Sequence, residues 1–250
     1  MKISIVTVCL NSENSIEKTI KSVIDQEYSD IEYIIIDGGS SDQTVEIIQK
    51  YKKFITTFIS EADSGIYDGI NKGISYATGD IVSILHSDDY YAHKRVLLNV
   101  VNIFKKKIKL KCLVGATYMI KKENDVIVRK YSPVKFKNWM FNLGISPPHP
   151  SMFLKKEIYD QYGLYKTDYK IAGDFEFYLR IILKKKIKIF MSNTNYVIMR
   201  LGGKSTMSFK SNFISSREIL KILKKNGVYS NWAMVLLRFP IKIIQYIFKK

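Results

Sequence analysis

The chain has 250 residues, 46% of them apolar and 25% charged, which is enough to bury a full core without help from disulfides or metals. Lysines and arginines number 40 against 23 acids, an excess of 17. That surplus points to an anionic partner (nucleic acid, phosphorylated substrate or anionic lipid), and the lack of any RNA- or DNA-binding signature argues against the first.

In chain order, Ile3–Leu10 reads as a buried strand. Ser12 or Asn14 is the expected cap of a helix reaching about Gln26, with Ile16, Ile20, Val23 and Ile24 on one face. Ile31–Asp37 is a second strand, and Ser40 or Ser41 caps a helix carrying Val45, Ile47 and Ile48. Phe54–Ser60 is a third strand, Ile66–Ala77 a helix and Asp80–Leu85 a fourth strand. This alternation implies an α/β, Rossmann-like fold: a mostly parallel sheet with helices on both faces. Further on, Cys112–Ile120 and Val126–Tyr131 suggest paired strands. Pro147-Pro148-His149-Pro150 is a rigid loop, Gly173–Ile182 starts as a helix, and Ile187–Phe190 and Tyr196–Arg200 are short strands. The expected organisation is one domain over 1–205 followed by a C-terminal helical tail over 206–250.

Ligands of such sheets bind beyond the carboxyl ends of the strands. Strand one ends at Asn11, strand two at Asp37, strand three at Glu61 and Asp63, and strand four at His86-Ser87-Asp88-Asp89. Adjacent carboxylates such as Asp88 and Asp89 suit Mg²⁺ or Mn²⁺, which take oxygen ligands and leave positions open for phosphate. The alternative is that either aspartate caps a helix near Lys94–Phe104.

Several segments together resemble the ordered motifs of family 2 glycosyltransferases of the GT-A fold. They are Thr7-Val8-Cys9-Leu10-Asn11, Ile36-Asp37-Gly38-Gly39-Ser40-Ser41-Asp42-Gln43-Thr44, Asp63-Ser64-Gly65-Ile66-Tyr67-Asp68-Gly69-Ile70-Asn71-Lys72-Gly73, Thr78-Gly79-Asp80 and His86-Ser87-Asp88-Asp89. Ala172-Gly173-Asp174-Phe175-Glu176-Phe177-Tyr178-Leu179-Arg180 continues the resemblance, which covers about residues 1–205. It implies a donor-binding half over 1–110 and an acceptor-binding half over 111–205. Asp37 would bind the nucleotide base, uracil or thymine, with Thr7, Asn11 and Asp63 also on the donor. Asp89 would be the principal metal ligand, with Asp88 near ribose and diphosphate, and Asp174 would be the general base. The family often has Glu-Asp where this chain has Gly173-Asp174. The implied reaction is inverting transfer from a UDP- or dTDP-sugar to a saccharide or polyprenyl-diphosphate-linked acceptor, in cell-surface polysaccharide synthesis.

Other residues have two readings. His149 touches acceptor or diphosphate, or is a structural histidine; His86 orients the carboxylate pair, or packs. Lys72 and Arg180 meet phosphate, or are helix-surface cations. Arg200-Leu201-Gly202-Gly203-Lys204-Ser205 occupies the place of a loop that closes over donor in relatives, with Gly203 permitting motion; an ordinary turn is the alternative.

From Trp232 to Lys250 the chain is mostly apolar, with Arg238, Lys242, Gln245 and Lys249 on one helical stripe and a kink expected at Pro240. This fits a helix lying in an anionic membrane interface, or one packed on the catalytic domain or a second subunit. Cys9 and Cys112 read as buried free thiols, with a disulfide as the alternative. The opening apolar run is too short for a signal peptide and no stretch suits a spanning helix. The expected location is therefore the cytoplasm, peripheral on the inner face of the plasma membrane. Two other functions are a sugar nucleotidyltransferase and a non-catalytic basic protein that binds membrane or nucleic acid. The first needs a glycine-rich basic loop where Asn11-Ser12-Glu13-Asn14 stands, and the second leaves the strand-end acids unexplained.

Overall fold

Among the residues described by the computed structural model (1–121, 125–201 and 209–241), nine strands form a single sheet. β1 (Ile3–Cys9) lies between β2 (Ile31–Asp37) and β4 (Ile81–Ile84), with β3 (Thr57–Ser60) outside β2, all four parallel. α1 (Ile16–Ile24), α2 (Thr44–Gln49) and α3 (Ile66–Tyr76) connect them. The chain moves outward from β1 to β3, then crosses back to place β4 on the other side of β1. That reversal opens a crevice at the carboxyl ends of β1 and β4, where open α/β sheets take their ligands.

The sheet continues through β8 (Met152–Lys155), antiparallel to β4, then β6 (Cys112–Ile120), β9 (Ile189–Arg200) and β5 (Asp89–Tyr91). β7 (Ile127–Tyr131) pairs with β6 as the expected antiparallel partner. β9 is one strand where two short ones were expected. Its polar middle, Ser192 to Asn195, breaks the apolar pattern, and the ladder to β6 absorbs it with register shifts. α4 (Val96–Lys106) and α5 (Lys156–Tyr162) flank the sheet, and α6 (Gly173–Tyr178) runs on as a π-helical turn, Leu179–Lys184.

Both faces of the sheet are covered, so β1 is buried at every position, as a near-continuous apolar run predicts. Val6, Val8 and Cys112 belong to one core and Ile3, Ile5 and Cys9 to the other. The two cysteines therefore lie on opposite faces and are free thiols. The halves 1–110 and 111–205 share this sheet and both cores.

α7 (Phe209–Lys225) and α8 (Trp232–Leu236) do not form a separate tail. Ile219, Ile222, Leu223 and Val235 are buried in the same core as Phe141 and Phe175. Arg238, expected on a helical stripe facing membrane or packed on the catalytic domain, is only 4% exposed and donates to the Asn212 carbonyl and the Ser216 hydroxyl. Lys242, Gln245 and Lys249 lie outside the described residues. The helix breaks at Leu237, three residues before Pro240, as a ring that crowds the preceding turn requires. No helix among the described residues is long and apolar enough to cross a membrane.

Candidate active site

Four strand ends converge on the crevice. After β1, Asn11 adopts φ 49°, a left-handed conformation that asparagine tolerates. Its Oδ1 accepts from Ser41 N at 2.9 Å and its own N–H donates to Ser40 Oγ at 2.8 Å, which ties the first strand end to the second.

Asp37 is fully buried beneath that turn. Its Oδ2 accepts from Gly39 N, Ser40 N and Ser60 Oγ at 3.2, 2.9 and 2.7 Å. Its Oδ1 accepts from Ser40 Oγ and the Cys9 thiol. Five donors occupy the carboxylate, so the expected direct contact with a nucleotide base is corrected: Asp37 shapes the turn. Thr7 is corrected too, because its side chain is fully buried against the Tyr33 hydroxyl at 3.2 Å.

Asp63 follows β3 and accepts from Gly65 N at 2.9 Å. Its other oxygen lies where a side chain at Gly38 would stand, 2.7 Å from an added Cβ, and 3.1 Å from one at Gly69. The two glycines make room for this carboxylate. Lys72 pairs with Glu61 at 2.5 Å, which raises its pKa and ties α3 to the end of β3.

After β4, Ser87 Oγ meets Ser12 Oγ at 2.8 Å across the crevice. Thr19 Oγ1 on α1 bonds the carbonyls of Ser87 and Asp89, fixing the backbone around the carboxylate pair. Neither aspartate caps α4, which begins after Arg95. Asp89 instead opens β5, is 2% exposed, and has a buried Oδ1 with no hydrogen-bond partner. Burial, and then the charge of Asp88, hold its carboxyl well above the usual range. A buried carboxylate oxygen without a donor is costly, and a cation would relieve it. Among the described residues no group of three His, Cys, Asp or Glu could hold a metal. Two adjacent oxygen ligands with the rest left to phosphate and water fit Mg²⁺ or Mn²⁺, not a closed structural zinc site.

Asp174 stands at the first turn of α6, half-buried, with Oδ2 3.0 Å from His149 Nδ1. The His149 ring meets His86 edge-on at 5.8 Å between centroids, so the three side chains lead from Asp174 to the loop bearing Asp88 and Asp89. Burial raises the Asp174 carboxyl, but the charge and hydrogen bond of His149, the Phe175 N–H and His86 outweigh it and lower the pKa. His86 is pushed down to about 3, by burial and then by His149. Tyr178 on α6 donates to the Pro148 carbonyl at 3.1 Å, so one helix holds both Asp174 and the loop of His149.

Sequence reasoning missed two parts of this site. The Tyr67 hydroxyl accepts from Gly173 N and Asp174 N at 2.9 and 3.3 Å and donates to the Ile171 carbonyl at 2.6 Å. An added Cβ at Gly173 would come within 2.7 Å of the Tyr67 ring, which accounts for glycine before the aspartate. Glu218 on α7 accepts from the backbone N–H groups of Lys170, Ile171 and Ala172 at 2.7, 3.0 and 2.9 Å. Tyr67 lay within a quoted motif, whereas no local signal marks Glu218. Arg180 is corrected: it bonds Glu176 and the carbonyls of Tyr162, Gly163 and Leu164, holding a loop and leaving nothing for phosphate or acceptor. Gly203 lies outside the described residues.

The family model Glycosyl transferase family 2 matches residues 4–189. The chain is similar to an uncharacterized glycosyltransferase of Mycobacterium tuberculosis, 33% identical over 186 residues, which cover 72% of this chain and 69% of that one. Among solved structures it is similar to Staphylococcus aureus TarS 1–349 in complex with UDP, at 19% identity and TM-score 0.65, covering 89% of this chain and 65% of that one. It is also similar to the mannosyltransferase PcManGT of Pyrobaculum calidifontis in complex with GDP-Man and Mn²⁺, at 15% identity and TM-score 0.65, covering 90% and 64%. The chain thus spans slightly less than two thirds of each solved chain. These likenesses show the fold, the expected GT-A arrangement of a mostly parallel sheet flanked by helices, here extended by antiparallel strands.

Proposed function

The chain belongs to glycosyl transferase family 2 and is a glycosyltransferase, and from that premise we propose that it is an inverting, metal-dependent enzyme. It moves a sugar from a UDP- or dTDP-sugar onto a saccharide or polyprenyl-diphosphate-linked acceptor in building a cell-surface polysaccharide. The observation that carries the mechanism is the row Asp174, His149 and His86, which ends at the loop of Asp88 and Asp89. One carboxylate stays charged at one end of the row while another lacks a partner at the other.

Asn11, Asp63 and the turn held by Asp37 line the nucleotide side, and residues 111–205 with α7 supply the acceptor side. Asp88 and Asp89 would hold a Mg²⁺ or Mn²⁺ ion, which supplies Lewis-acid stabilisation of a leaving diphosphate when bound. The Mn²⁺ and GDP-Man in the Pyrobaculum enzyme support that reading, as does the UDP in TarS for the donor. His149 holds Oδ2 of Asp174, and Oδ1, which the Tyr67 hydroxyl faces at 3.5 Å, takes the proton of the acceptor hydroxyl. As that proton leaves, the hydroxyl oxygen bonds the anomeric carbon and the carbon–diphosphate bond breaks on the opposite face, inverting the centre.

Asp174→Asn is expected to lower turnover about 10²–10⁴-fold while calorimetry with UDP and Mn²⁺ gives near-unchanged affinity. Near-normal turnover would remove Asp174 from the role. Metal-dependent hydrolysis across a panel of nucleotide sugars identifies the donor, and no such activity with any of them would refute the reading.

A further inference from the structure

α7 and α8 bury one side in the core and leave the other bare. Phe213 stacks on Trp232 with ring centroids 5.6 Å apart. Exposed apolar side chains here are Phe213 at 59%, Trp232 at 44%, Leu236 at 47% and Leu237 at 51%. Trp232 with Leu236 is an i, i+4 pair, so the bare residues form a stripe along α8 and not a scatter. Cations surround it: Lys210, Arg217, Lys221, Lys224 and Lys225 on α7 are exposed. The lone acid of α7 is Glu218, which is committed to the 170–172 backbone. The sequence of 242–250 has three lysines and no acid.

We infer that this face of α7 and α8 is a docking surface for an anionic phospholipid bilayer. Its aromatic and leucine side chains sit at the headgroup level while the surrounding lysines and arginine meet lipid phosphate. The inference deepens the lipid-linked acceptor of the proposed reaction. The docked elements also support the base: Glu218 holds the loop before Asp174, and α8 packs beside the 3₁₀ turn Asn138–Leu143 that precedes the His149 loop. A bilayer on this face therefore lies beside the acceptor side of the cleft, where a carrier lipid presents its sugar. A second basic surface, Lys105, Lys106, Lys107 and Lys109 with Lys184 to Lys186, lies at the amino-terminal ends of β6 and β9. That is the pole opposite the crevice, and Ile108 is its one strongly exposed apolar side chain.

The test is vesicle flotation of the full chain on phosphatidylglycerol–phosphatidylcholine vesicles, with phosphatidylcholine alone as control. Trp139→Phe leaves Trp232 as the sole indole reporter. Flotation on the anionic vesicles alone, with a blue shift of that indole, is expected. Phe213→Ser with Leu237→Ser should lower partitioning roughly tenfold or more, while Lys105, Lys106, Lys107 and Lys109 all changed to Gln should leave it within about threefold. The inference is overturned if the lysine variant loses binding and the α7–α8 variant does not. It is also overturned if no indole shift occurs, or if light scattering without lipid shows a dimer that Trp232→Ser dissolves. Metal-dependent donor hydrolysis is measured on the same samples. If hydrolysis persists without vesicle binding, only the docking surface fails; if hydrolysis is absent, the transfer reading fails.

Discussion

Burial alone would raise the Asp174 carboxyl, and a protonated base cannot take a proton. The neighbouring His149 reverses that sign, so the folded pKa lies below the usual carboxylate value and the proposed base is ionised at neutral pH. Removing His149 takes away the lowering and leaves the burial. His149→Gln should therefore move the acid limb of the kcat/KM profile to higher pH and cost more rate at pH 5 than at pH 8; an unshifted limb would show that the pair does not tune the base. Asp89 is the opposite case, a buried carboxylate whose Oδ1 has no donor. Asp89→Asn should abolish Mn²⁺-dependent UDP binding, read by melting with and without metal and nucleotide. The sequence placed both carboxylates at strand or helix ends. It did not reveal that Thr7 is buried against the Tyr33 hydroxyl, nor that five donors saturate Asp37, because those facts depend on what each side chain meets from neighbouring strands.

The elements of the first half were legible because each carries a strong local pattern. β2 matched residue for residue, and β1, β4 and α3 lost only a terminal residue or two. The shortfalls have local causes. α1 starts at Ile16, and Ser12 does not cap it because its hydroxyl goes to Ser87. β3 is shortened by the 3₁₀ turn Lys52–Phe54. α6 depends on distant partners: Tyr67 meets its first two N–H groups and Glu218 the three before them. Glu218→Ala should cost about 1–3 kcal/mol through unsatisfied backbone donors and lower kcat about tenfold while leaving the donor KM unchanged; a change in donor KM alone would place Glu218 elsewhere in the mechanism.

At the scale of the molecule, the family match ends at residue 189 but the core does not. Ile219, Ile222, Leu223 and Val235 close the face that holds Phe141 and Phe175. A chain ending at 205 should therefore be insoluble or molten, with its near-ultraviolet circular dichroism lost; a soluble, active fragment would show that α7 and α8 are dispensable. The same elements that complete the core also brace the loop ahead of Asp174, so stability and the placement of the proposed base are coupled.

Apolar runs, glycine turns and acids at successive strand ends set the β-α alternation of the first half, the sheet edge that meets ligand and the family by sequence alone, since each is a short-range pattern that one stretch of chain can express. Tertiary structure decided the direction of each acid, the pairing of His149 with Asp174, the joining of Glu218 to a loop 46 to 48 residues away and the burial of Arg238. These depend on which faces meet across the sheet, and a side chain's partner in space leaves no mark on its neighbours in the chain.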